Sequence, residues 1–98
     1  MARIEIDGTS GIVERVRGLF FCQTRERFEL SRYESVRLSE RTIAVEEGYV
    51  RMWYSVCLEA SGISRELLST DDENEARSLH RRIAALLSQR TAERERGA

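Results

Sequence analysis

The chain lacks lysine and proline altogether, and among its 98 residues it has one histidine, two cysteines, one tryptophan, three tyrosines and three phenylalanines. The two cysteines, Cys22 and Cys57, could pair in principle, but the opening MARIEIDGTS has no apolar segment of the secretory kind, so reduced thiols and a cytoplasmic location are expected. Long apolar runs are missing too. The longest, around Leu19, Phe20, Phe21 and Cys22, falls far short of the ~20 residues of a transmembrane helix. Charge of one sign is also lacking: 16 basic and 17 acidic residues leave a net charge of −1, which gives weak long-range attraction to polyanions and predicts no nucleic-acid partner.

What is present is a highly charged globular composition, 41% hydrophobic and 34% charged, without the apolar poverty of a disordered chain. The length suits one domain, placed at residues 1–90, with a polar tail over 91–98 that has little to bury and is expected to be disordered. All basic residues are arginine, a side chain able to hold carboxylates or phosphates bidentately.

Alternation of apolar and polar residues marks the first two thirds as strands. Ile4 and Ile6 alternate before the turn-forming DGTSG. IVERVRGLFF follows, with Gly18 at a bend or bulge, and Gln23 and Thr24 read as a polar break before RFEL. ESVRLSE carries Val36 and Leu38, RTIAVEEGYV carries Ile43 and Val45, and Gly48 closes a hairpin. YVRMWYSVCLEA is the longest strand pattern: Val50, Met52, Tyr54, Val56, Leu58 and Ala60 form an apolar set, which sends Trp53 and Cys57 to the other face. ISRELLS offers a last strand. From Asp71 the period becomes helical, with Ala76, Leu79, Ile83, Leu86 and Leu87 on one side. Thr70 and Glu73 fit a capping box, Glu73 and Arg77 an i,i+4 pair, and the helix is expected over about 71–89.

A meander of about seven strands followed by one amphipathic helix resembles the pleckstrin-homology-like (PH-like) fold of small bacterial domains. RFELSRYESVRL, YVRMWYSVCLEA and STDDENEARSLHRRIAALL are the segments that carry the resemblance. It implies a mainly β, α+β architecture: a seven-strand antiparallel roll or barrel capped by the C-terminal helix. It also implies that Arg17, Arg25 and Arg27 stand where such domains place anion-holding basic residues on their first hairpins, with a peripheral membrane or a phosphate-like ligand as partner. The tryptophan that many eukaryotic members carry in the final helix has no counterpart here.

Enzyme motifs are absent: there is no phosphate-cradling glycine loop, nucleophile elbow or HExxH. Cys22, Cys57 and His80 lack zinc-site spacing, and the paired acidic residues fall in a turn and a helix cap, so neither catalysis, a metal nor a cofactor is expected. Arg15, Arg17, Arg25 and Arg27 either converge on an anion or pair across strands with the interleaved Glu14, Glu26 and Glu29. Trp53 and Cys57 are candidate contacts for a protein partner or a second copy, which makes a non-catalytic interaction module the leading expectation.

Overall fold

The computed structural model describes the backbone of residues 2–19 and 21–96, and their side chains except at 2, 19, 44–46, 91 and 93–96. Six strands precede one helix: β1 (Ala2–Asp7), β2 (Ile12–Leu19), β3 (Cys22–Glu29), β4 (Ser35–Glu46), β5 (Tyr49–Ala60), β6 (Ile63–Thr70) and α1 (Glu73–Arg96), with a 3-10 turn at Leu30–Arg32. They form two antiparallel meanders, β1-β2-β3 and β4-β5-β6, with no strand pairing between the two sheets among the described residues. The seven strands and closed barrel expected from the sequence are therefore six strands and two open sheets.

The seventh strand disappears into β4. Val36 and Leu38 occupy even positions and Ile43 and Val45 odd ones, a phase change that reads as two strands. The chain accommodates it with a bulge instead: Thr42 pairs with Met52 and Ala44 with Arg51, leaving Ile43 as the extra residue in one 12-residue strand. The β2–β3 hairpin closes after the pair Leu19 and Cys22, so Gln23 and Thr24 are not a break but lie within β3. Gly18 is not a bulge, since its register with Gln23 is regular; at φ 119° it lets β3 pass so close that a Cβ there would fall on the Cys22 carbonyl.

The helix begins at Glu73 and runs to Arg96, beyond the predicted end near 89, so residues 91–96 of the expected tail are helical; Gly97 and Ala98 lie outside the described residues. Its cap is Asp72 rather than Thr70. The Asp72 carboxylate accepts from the Glu75 amide at 3.2 Å, while the Thr70 hydroxyl accepts from the Asp72 amide at 3.1 Å. Glu73 is left free to accept from Arg77 at 2.9 Å, the predicted i,i+4 pair.

One face of each sheet and one face of α1 make a shared core of Val13, Phe28, Leu30, Tyr54, Val56, Leu58, Leu67, Ala76, Leu79, Ile83 and Leu87. Full burial of each large aliphatic side chain contributes about 1.5–3 kcal/mol. A second bulge, between Val56 and Cys57, inserts Leu67 as an extra residue of β6 and turns it fully inward, while Leu68 packs at the core margin. The predicted inner set of β5 holds from Tyr54 to Leu58; Met52 is half-buried and Val50 is 61% exposed, so the core ends before the strand does.

Candidate interaction surface

Helix α1 lies against the inner face of β4-β5-β6, which leaves the odd-numbered face of β5 as the outside of the sheet. Register places Trp53 opposite Arg41, Ser55 between Ser39 and Ser69, and Cys57 between Arg37 and Glu66 on that face. Trp53 is half-buried by its neighbours, and its indole N–H donates to the Ser69 hydroxyl. A tryptophan drawn out of water needs such a partner for its one donor, and here the serine supplies it. Cys57 is likewise half-buried; burial pushes its thiol pKa up, and the nearby Glu66 carboxylate adds to the effect. Beside it Arg37 pairs with Glu59 at 2.7 Å.

Beyond Trp53 the sheet narrows. β6 stops at Thr70, opposite Tyr54, so from Tyr49 to Trp53 strand β5 is paired on its β4 side only. This two-stranded ribbon turns at Glu47 and Gly48, both at positive φ, as a two-residue hairpin loop requires. It carries Tyr49 at 81% exposure, Val50 at 61% and the bulged Ile43 at 42%. The sequence pattern singled out Trp53 and Cys57 but not these three. Their signal was the distance of YV from the next strand, which only the β5-β6 register reveals.

The hairpin arginines are divided between two faces. Arg15 pairs with Glu26, Val16 with Arg25 and Arg17 with Thr24, so odd residues of β2 share a face with even residues of β3. Arg25 and Arg27 therefore lie on the outer face and Arg17 on the inner one. On the outer face Arg25 bonds Glu14 at 2.9 Å and Glu5 at 3.3 Å, and Arg27 lies 3.4 Å from Glu14. The hydrogen bond to Glu14, more than the charge of Glu5, raises the Arg25 pKa. At the hairpin tip Phe21 is 98% exposed, next to exposed Cys22.

Arg15, grouped with these in the sequence, is instead a core residue at 9% exposure. Its guanidinium lies 5.6 Å from the centre of the Phe28 ring, donates to the Glu66 backbone carbonyl at 2.6 Å and meets Glu26 at 2.6 Å. One side chain thus ties β2 to the edge of β6 across the gap between the sheets. Its buried Nε has no hydrogen-bond partner. The Glu26 carboxyl is held below the usual range, first by the bond from Arg15.

Cys22, Cys57 and His80 sit on separate elements; His80 lies on α1 with Nε2 3.2 Å from the Val36 carbonyl. Among the described residues no three His, Cys, Asp or Glu side chains are placed to hold a metal, and no helix is long and apolar enough to cross a membrane. Compared with protein-family models, curated proteins and solved structures, the chain has no match.

Proposed function

We propose that the chain is a non-catalytic interaction module of PH-like architecture, which holds a protein partner against the β4–β5 ribbon and the adjoining outer face around Trp53. The observation that carries this is the ribbon itself: it outruns β6 and sets Tyr49, Val50 and Ile43 in solvent next to the half-buried Trp53. Exposed aromatic and aliphatic groups gathered at one end of a small domain are the composition of a contact surface. Two open antiparallel sheets ending in a helix support the PH-like comparison at the level of element order. Two free thiols suit a reducing cytoplasm. The hairpin arginines carry an anion-binding or membrane role less far, because Arg25 and Arg27 already face Glu5 and Glu14.

The test is photo-crosslinking in living cells. A benzophenone amino acid at Tyr49 or Trp53 is expected to give discrete protein adducts, while the same group at Arg81, on the exposed side of α1, gives none. Equal labelling from all three positions, or none from the ribbon, removes the proposal.

A further inference from the structure

We infer that the occupant of the ribbon is a second copy of this chain, joined by antiparallel pairing of the two β5 strands about a two-fold axis at Val50. This deepens the contact function proposed above and rests on it.

A strand with one unpaired edge is a template for another strand, and soluble proteins protect such edges with charge, proline, bulges or a covering element. The other edges carry some of these protections, and on β4 beside the ribbon the bulge at Ile43 supplies one. The Glu66 carbonyl on β6 accepts from Arg15, the Val36 carbonyl on β4 meets His80, and β1 and β3 carry a charge at nearly every second residue. Tyr49–Trp53 has none of this. Its single charge, Arg51, is turned toward Asp71 at 3.7 Å, and its flanking residues are aromatic or aliphatic. A two-stranded ribbon is also marginal in water by itself, so a third strand is the stabilisation it lacks.

The end of β6 sets the register. In a continuous sheet formed about a two-fold axis, paired residues share a face, so the axis must pass through a residue of β5. An axis through Arg51 would set two arginines opposite each other and would bring Gly48 of the second copy opposite Tyr54, the place Thr70 already fills. Moved to Val50, the hairpin tip of the second copy stops opposite Trp53, clear of Thr70. Val50 then faces its own mate, and each Tyr49 faces an Arg51, whose guanidinium can lie on the phenol ring while Asp71 remains its counter-ion. The two ribbons become the centre of one sheet spanning both copies, with strand addition of the kind used in peptide recognition supplying the backbone bonds. The interface is small, so the dimer is weak and its population depends on concentration.

Cysteine pairs read the register directly. In a chain with Cys22→Ser and Cys57→Ser, Val50→Cys places two thiols at the axis with Cα atoms about 4.5–5.5 Å apart, within disulfide reach. Arg51→Cys places them two residues out of step, beyond the ~7 Å limit. Under a glutathione redox buffer Val50→Cys is expected to form covalent dimer at least about tenfold faster than Arg51→Cys. Light scattering of the native chain between about 10 µM and 1 mM should show a monomer–dimer equilibrium that Val50→Glu abolishes with circular dichroism unchanged. A monomer at every concentration, or equal cross-linking at 50 and 51, overturns the inference. If the pure chain is monomeric while the benzophenone at Tyr49 still captures a different protein, self-pairing fails and the contact function stands. If both experiments are blank, both fail.

Discussion

Replacing Arg15 by methionine should leave the protein nearly as stable as it is now, although the substitution deletes two hydrogen bonds and a buried charge. The guanidinium donates to the Glu66 carbonyl and to Glu26, and a charge-assisted bond contributes roughly 1.5–3 kcal/mol. Against this, the buried Nε is unpaired, a cost of about 1–3 kcal/mol, and the charge itself was taken out of water. The two sides nearly cancel, and Met fills the volume of the arginine stem beside Phe28, so the net change is expected within about 1 kcal/mol. Arg15→Ala removes the stem as well. The void it leaves beneath Phe28 and between the sheets should cost about 2–4 kcal/mol, which for a domain of this size lowers Tm by about 10–25 °C. Thermal unfolding followed by circular dichroism, with urea melts read by Trp53 fluorescence, separates the two. If Met destabilises as much as Ala, the polar bonds rather than the packing hold the sheets together, and the cancellation is refuted.

Two further outcomes follow from the titrating groups. Cys57, half-buried and with a raised pKa, should react with a thiol reagent at pH 8 at least about tenfold more slowly than exposed Cys22, as peptide mapping of the modified protein would show; equal rates would mean that the outer face is more open than its burial indicates. The bond from Arg77, then that from the Tyr54 hydroxyl, holds the Glu73 carboxyl below its usual value, so this stabilisation is complete above the ordinary carboxyl pKa of about 4.3 and is lost as pH falls through the lower folded value. The same contact raises the Tyr54 pKa, so its contribution is present below about pH 10 and disappears as pH rises through the higher folded value. Glu73→Gln should flatten the acid limb of the stability curve and bring the phenolate absorbance of Tyr54 to lower pH; a titration unchanged from the native chain would sink this assignment.

The elements that repeat a simple period were legible without the structure. The alternation through Tyr54, Val56 and Leu58 and the helical spacing of Ala76, Leu79, Ile83 and Leu87 correspond to buried faces. Departures from period were not legible, because they depend on which strand lies alongside. The bulge at Ile43 made one strand look like two, and nothing local marks it. The pair Leu19 and Cys22 sets odd positions opposite even ones; Arg17 and Arg25 could share a face only in a register that pairs odd with odd. Arg15 is the instructive miss. It shares parity with inward Val13, a cue visible in the sequence, but charge argued for the surface until register set it beside Glu26 and under the β6 edge.

That no strand pairs between the two sheets among the described residues also bears on the order in which the chain becomes a protein. During synthesis β1, β2 and β3 emerge first, and their hairpins can form locally, but the inward side chains Ile4, Ile6, Val13 and Phe28 have nothing to lie against until β5 and then α1 exist. Arg15 waits in the same way for the Glu66 carbonyl, 51 residues downstream. The first third of the chain is thus made early and finished late, with an apolar face open to whatever the cell offers in the interval.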